Sequence, residues 1–214
     1  MNNNIARLEV GAFSTNCWVY VVDGDVSVID PGGDGEAIIA FLESERLKPA
    51  RILLTHGHFD HVMALPDVRG AFPDGTIAVH RADHVSVGKN AFRFQCADFK
   101  TAAGNDGFIR ENWRDMPPVT QLLEDGDTIG PFTVMHTPGH TKGSVSYYHK
   151  DAGVLFSGDT LFCGGIGRTD LSGGSIAEMT ESLKRLFSLD GETRVFPGHG
   201  GPTTIKAERA GLVT

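Results

Sequence analysis

The sequence predicts an α/β protein in which β-sheet is covered by helices. Three observations carry that expectation. From Ile5 to His80 the apolar runs alternate as β-β-β-α-β-α-β. After Asp125 a second run of strands and a helix follows in similar order, without a sequence repeat. The 27 glycines among 214 residues cluster between apolar runs, which reads as tight loops rather than disorder. A chain of this length buries roughly 70% of its unfolded surface and needs no disulfide to fold. It is read as a single domain over 1–214, with an aromatic-rich insertion at about 88–118.

Ile5 to Val10, Cys17 to Val22 and Val26 to Ile29 are rich in β-branched and aromatic residues and read as strands. The second and third form a hairpin around Asp23-Gly24-Asp25. Asp30-Pro31-Gly32-Gly33 ends the sheet there. Asp34 is the expected N-cap of a helix from Gly35 to about Glu45, with Ala37, Ile38, Phe41 and Leu42 as its buried stripe. Ile52–Leu54 is a strand, Val62 to about Phe72 a helix, and Thr76 to His80 a strand. Between Arg81 and Val119 no period is clear, although Phe92, Phe94, Phe99, Phe108 and Trp113 fall there. Such a stretch is either a lid or binding loop, or a small helical excursion packing its aromatics on the core.

Regular patterning resumes at the turn Asp125-Gly126-Asp127, followed by strands at Phe132–His136, Ser144–His149 and Val154–Ser157. Ser175-Ile176-Ala177-Glu178 has the form of a capping box. It opens a helix to about Leu189 that carries Ile176, Met179, Leu183, Leu186 and Phe187 on one face. Arg194–Phe196 is a last strand. The glycine-rich run from Cys163 to Arg168 is no phosphate loop, because no Gly-Lys-Ser/Thr follows.

A net charge of −8 argues against binding nucleic acid through its phosphates. No apolar run approaches the roughly 20 residues of a membrane span. Met1-Asn2-Asn3-Asn4 begins no signal peptide. Three widely spaced cysteines, Cys17, Cys96 and Cys163, fit a reducing compartment better than a disulfide framework. A cytoplasmic protein without nucleic-acid or membrane partners is therefore expected.

The chemistry concentrates in Thr55-His56-Gly57-His58-Phe59-Asp60-His61, directly after the apolar run Ile52–Leu54. Three later loops repeat the design of an apolar strand followed by a potential ligand, at His140, Asp159 and His199. Imidazole and carboxylate without thiolate suit zinc, iron(II) or manganese. Seven such groups are too many for one tetrahedral ion and suit two ions sharing a bridging carboxylate. His80, His84, His136 and His149 fit no ligand position. Cys163, four residues beyond Asp159, is placed to line the site.

His-Gly-His-Phe-Asp-His with His140, Asp159 and His199 resembles the metallo-β-lactamase fold superfamily, from Asp30-Pro31-Gly32 to Pro197-Gly198-His199-Gly200. The resemblance implies an αββα sandwich of two mixed β-sheets flanked by helices. It implies that His56, His58 and His140 hold one metal, that Asp60, His61 and His199 hold a second, and that Asp159 bridges. Asp30 would steady the metal loop from behind. Zinc is the expected metal, with iron and manganese as alternatives.

Thr137-Pro138-Gly139-His140-Thr141 and Phe156-Ser157-Gly158-Asp159-Thr160-Leu161-Phe162 resemble the type II glyoxalases and their short bacterial relatives. These hydrolyse small-molecule thioesters. The implied mechanism is attack on the thioester carbonyl by a hydroxide bridging two metal ions, with Asp60 orienting the hydroxide. After His199 only 15 residues remain, which leaves no room for the C-terminal helical domain with which longer glyoxalases hold glutathione. Arg168, Lys142 and the aromatic insertion are the places to look for substrate contacts. The same motifs resemble persulfide dioxygenases, which hold a single iron(II) through two histidines and an aspartate, here His56, His140 and Asp159. β-Lactams are not the expected substrate, because the bridging position carries Asp159 and not cysteine.

Overall fold

The computed structural model describes residues 3–88 and 90–212, so that Met1 and Asn2, Lys89 of the insertion, Val213 and Thr214 lie outside the described residues. The first sheet takes its strands in chain order: β1 (Asn3–Val10), β2 (Thr15–Val22), β3 (Asp25–Ile29), β4 (Arg51–Leu53), β5 (Thr76–His80) and β6 (Gln121–Leu123). Its first two pairings are antiparallel and its last three parallel. The chain then forms β7 (Thr128–Ile129), β8 (Phe132–His136), β9 (Val145–His149), β10 (Val154–Gly158), the small hairpin β11 (Leu161–Phe162) and β12 (Gly165–Ile166), then β13 (Arg194–Pro197) and β14 (Thr203–Thr204). The second sheet runs β14-β13-β10-β9-β8-β7 and is mixed too, because β10 and β13 pair in parallel.

The two sheets face each other. Along β2, Trp18, Tyr20 and Val22 point into the layer between the sheets, where they meet Phe132, Val134, Tyr147, Phe156 and Phe196. Cys17 and Val19 point the other way, into a layer under α1 (Gly35–Ser44). The period of two thus buries both faces of β2. The outer face of the second sheet, through Met135, Leu155 and Val195, packs against Leu186 of α6 (Ile176–Phe187) and Ile205 of α7 (Ile205–Leu212). This is the expected αββα sandwich.

Several local expectations change. The expected helix over 62–72 is two helices, α2 (Phe59–Val62) and α3 (Leu65–Ala71). The break falls where Ala64 N–H donates to Pro31 O and where Pro66, in the first turn of α3, has no N–H to offer. Asp34 precedes α1, but its carboxylate caps nothing there and instead accepts from Gly11 N–H at 2.8 Å. Ala37 is exposed. Ser175 does cap α6 through Glu178 N–H at 3.3 Å, while Ser175 N–H donates to Gly139 O. Ile176 is 61% exposed and leaves the predicted apolar face.

The insertion is helical, with α4 (Ala91–Ala103) and α5 (Gly107–Asn112). Phe92, Phe99, Phe108 and Trp113 pack on each other and on Phe59 of α2, with Phe99 stacked on Phe108 and Phe59 on Trp113, whereas Phe94 is exposed. The excursion is therefore anchored on the helix that carries Asp60 and His61. The strands β6, β7, β11, β12 and β14 and helix α7 lie outside what the sequence patterning predicted.

Candidate metal centre

All seven predicted ligands converge at one end of the sandwich. His56 and His58 follow β4, Asp60 and His61 occupy the first turn of α2, His140 follows β8, Asp159 follows β10 and His199 follows β13. A strand end suits this task, since the next residue is released from the ladder and turns toward the gap between the sheets. Ligand atoms of His56, His58 and His140 lie within 4.8 Å of one another, and so do those of Asp60, His61 and His199.

Asp159 sits between the two groups. Its Oδ1 is 3.4 Å from His61 Nε2, and its Oδ2 is 3.5 Å from His199 Nε2 and 3.6 Å from His140 Nε2. Most of these separations are long for hydrogen bonds. They match the spacing of about 3.3–3.5 Å between ligands on a tetrahedral ion with bonds of about 2.0–2.1 Å. Among the described residues, His56 Nε2, His58 Nε2 and Asp159 Oδ1 are buried without a hydrogen-bond partner. Orphaned donors or acceptors of that kind are costly unless something else meets them. The donor set therefore fits divalent cations.

Asp30 determines which ring nitrogens face the centre. Its backbone is left-handed, with φ of 53°, a conformation aspartate tolerates better than most residues. Its carboxylate accepts from Thr55 N–H at 2.7 Å and from Thr55 Oγ1–H at 2.6 Å. That hydroxyl in turn accepts from His56 Nδ1–H at 3.1 Å, which leaves a lone pair on His56 Nε2. Asp30 also accepts from His61 Nδ1–H at 3.0 Å, which aims His61 Nε2 at Asp60, Asp159 and His199. Although Asp30 lies within 4.8 Å of His56 and His61, these contacts are on the Nδ1 side, so Asp30 stands behind the rings rather than among the ligands. His140 is oriented by a carbonyl: its Nδ1–H donates to Arg168 O at 2.7 Å and its Nε2 faces His58 Nδ1 at 2.9 Å.

The electrostatics divide the centre in two. Burial and the neighbouring imidazoles hold His56 well below its ordinary pKa and bring His58 down to about 3. Burial pulls on His61 as well, but Asp159, Asp60 and Asp30 outweigh it and raise its pKa. His199 is likewise raised, burial being outweighed by its hydrogen bond to Asp60 and the charge of Asp159. Burial of Asp60 and Asp159 is more than offset by the histidines, and both carboxyls stay below their ordinary range.

A cavity of about 310 Å³ opens onto the centre. His58, Asp60, His140, Asp159 and His199 form its floor, and Phe13, Phe59, Phe99, Ala102 and Leu171 much of its wall. Arg168 also lines it, in an ion pair with Asp170 at 2.8 Å. Lys142 lies instead on a neighbouring cavity of about 170 Å³, on the other side of His58. Cys163, contrary to expectation, does not line the main cavity and is exposed at the turn between β11 and β12. Of the remaining histidines, His80 stacks on His136 with ring centroids 4.2 Å apart, and His149 bonds the Tyr20 hydroxyl at 2.8 Å.

Sequence reasoning missed Thr55, Phe13, Asp83 and Gln95. Asp83 follows a strand end, β5, just as the ligands do, and that is the one signal that could have found it. The glycine-rich run also acquires a purpose. A Cβ on Gly167 would overlap the Asp159 carbonyl oxygen and come within 3.2 Å of His140 Nδ1, whereas one on Gly165 would meet nothing within 4 Å. Gly167→Ala is expected to lower stability by about 1–3 kcal/mol and to displace Asp159, with bound metal lost. Gly165→Ala is expected to behave as wild type. Thermal melts and metal content of the two variants, side by side, check this.

Residues 10–199 match the family model described as Metallo-beta-lactamase superfamily. The chain is 39% identical over 208 residues to the Bacillus subtilis (strain 168) protein called Probable metallo-hydrolase YqgX, covering 95% of this chain and 93% of that one. It is 32% identical over 211 residues to Hydroxyacylglutathione hydrolase GloC of Haemophilus influenzae (strain ATCC 51907 / DSM 11121 / KW20 / Rd), covering 96% and 95%. Two crystal structures superpose with TM-scores of 0.84. One is BLEG-1 B3 metallo-beta-lactamase, 38% identical with 97% of each chain covered. The other is TTHA1623 in a di-iron-bound form, 35% identical with 96% and 98% covered.

Proposed function

Because this chain belongs to the metallo-beta-lactamase superfamily, we propose that it is a metal-dependent hydrolase of small-molecule thioesters that works with two divalent ions, zinc in first place. The observation that carries this reading is Asp159, whose carboxylate lies 3.6 Å from His140 of one group and 3.4 and 3.5 Å from His61 and His199 of the other. A single ion on His56, His140 and Asp159, as in a persulfide dioxygenase, would leave Asp60, His61 and His199 gathered but unused as ligands. The di-iron form of a structure 35% identical supports a pair of ions, and iron is the metal to look for beside zinc.

When bound, the ions would supply hydroxide at neutral pH, by lowering the pKa of water from about 15.7 to about 7, and would polarise the scissile carbonyl. The residues of the chain do the rest. His56, His58 and His140 would hold one ion and Asp60, His61 and His199 the other, with Asp159 available to both. Asp60 faces the cavity with a carboxylate held below its ordinary pKa. It is placed to accept a hydrogen bond from the attacking oxygen and so to orient it. Thr15 Oγ1–H, 3.2 Å from Asp60 Oδ2, keeps that carboxylate in place. Phe13, Phe99 and Leu171 give the cavity an apolar wall. A thiolate leaves readily, so no further acid is required.

The relative called hydroxyacylglutathione hydrolase is covered over 95% of its own length, and this makes glutathione a candidate thiol. A second reading rests on the structure called a B3 metallo-beta-lactamase. Hydroxide attack on a strained lactam is related chemistry. Three free cysteines, two of them buried, support a reducing cytoplasm as the compartment. Among the described residues no helix is long and apolar enough to cross a membrane.

The test combines elemental mass spectrometry with a substrate panel. About two equivalents of metal per chain, with turnover of S-lactoylglutathione or smaller hydroxyacyl thioesters, is the expected result. About one equivalent of iron, with oxygen uptake on a glutathione persulfide, would replace the proposal by the dioxygenase. Hydrolysis of a chromogenic cephalosporin without thioester turnover would replace it by the lactamase.

A further inference from the structure

Gly57, between His56 and His58, is held through both of its backbone polar groups. Gly57 N–H donates to Asp83 Oδ2 at 2.9 Å, and Gly57 O accepts from Gln95 Nε2 at 2.6 Å. Asp83 reaches the other ligand loop as well. Its Oδ2 accepts from Thr141 Oγ1–H at 2.7 Å and its Oδ1 from Gly143 N–H at 2.8 Å, just beyond His140. Gln95 Nε2 also donates to Ser86 O at 2.7 Å, in the 3₁₀ turn Arg81–Ser86 that carries Asp83. Asp83 is 5% exposed and Gln95 1%.

The fit around these side chains is close. A Cβ on Gly57 would come within 2.8 Å of Ser86 Cβ and 3.2 Å of Asp83 O, and one on Gly143 would run into the Asp83 carboxylate. Asp30 collects its donors from Thr55 and His61. Asp83 collects its own from the loops that present His56, His58 and His140. The three residues of the first ligand group thus come from two loops that are joined through one buried carboxylate.

We propose that Asp83 and Gln95 are positioning residues for the first metal position. They fix the distance between the His56–His58 loop and the His140 loop, and the insertion helix α4 serves as the buttress that supplies Gln95. The proposal rests on the two-ion reading for which residues hold the first ion. It assigns Asp83 and Gln95 no contact with the ions themselves.

The experiment titrates zinc against a chelator, and separately records the visible spectrum of the cobalt(II)-loaded protein, for wild type, Asp83→Asn, Asp83→Ala and Gln95→Ala. His140→Ala and His199→Ala assign the two binding steps to the two ligand groups. Far-UV circular dichroism of the metal-free variants reports on folding. The expected result is a ~10–100-fold loss of affinity in the step that His140→Ala abolishes, the usual effect of removing an outer partner of a ligand. The step abolished by His199→Ala should keep its affinity, and the cobalt spectrum should change at the first position only. If Asp83→Asn and Gln95→Ala are folded and either keep both affinities or weaken both equally, the assignment is overturned, since a merely structural role predicts the latter. If the wild type itself shows no step that His140→Ala removes, the two-ion reading falls, and this assignment with it.

Discussion

Asp159→Ala is expected to reduce bound metal from about two equivalents to less than one, and to lower thioester turnover by more than ~10²-fold. Removing an outer partner of a ligand costs ~10–100-fold, and a group shared by both positions should cost more. The physical reason is charge. His61, His140 and His199 all lie within 3.4–3.6 Å of this carboxylate. Without it the two groups lose the one anion they share, and two cations at close range repel each other with less between them. Asp159→Asn separates charge from shape, because the amide fills the same space without the negative charge. Elemental analysis with a hydrolysis assay decides the matter. Two equivalents of metal in Asp159→Ala would show that Asp159 does not bridge.

Asp30→Ala should be the most destabilising single change at the centre, though Asp30 is expected to touch no ion. It strands three buried donors: Thr55 N–H, Thr55 Oγ1–H and His61 Nδ1–H. Each costs about 1–3 kcal/mol when unmet. A combined loss of at least ~3 kcal/mol would lower the melting temperature by roughly 6 °C or more for a chain of this size. The variant should also weaken metal binding at both positions, because Asp30 aligns His61 directly and His56 through Thr55. Melting curves with and without zinc test both parts. A melting temperature within 2 °C of wild type would contradict the account of how the loop is held.

The ligands were legible because each obeys a local rule. His56, His140, Asp159 and His199 stand just beyond apolar strands, and such runs can be read from a few residues. The residues that hold the candidate ligands are less legible, although Asp30 directly follows β3 and Asp83 lies shortly after β5. Asp83 meets its donors across 26, 58 and 60 residues of chain, and no pattern in its neighbourhood announces them. Helix α4 was illegible for a related reason. Its buried positions are Ala91, Gln95 and Cys96, so the central residue of the stripe is polar. Gln95 is buried there because Gly57 O and Ser86 O require a donor, and that requirement exists only in the folded chain. The aromatics of the insertion mislead similarly, since several pack against each other and against Phe13 and Phe59 rather than along one helix face.

By itself, then, the sequence determined the alternation of strands and helices, the seven candidate ligands and the absence of thiolate among them, because these depend on residue type and short spacing. Only the tertiary structure decided that Asp159 lies between two groups, that Asp30 sets the tautomers of His56 and His61, and that Phe13 and Phe99 share one cavity wall. It also decided that Asp83 joins two ligand loops. These are relations between residues distant in sequence. They arise when two sheets stack and bring their strand ends together, and contacts made by stacking leave no period in the chain that makes them.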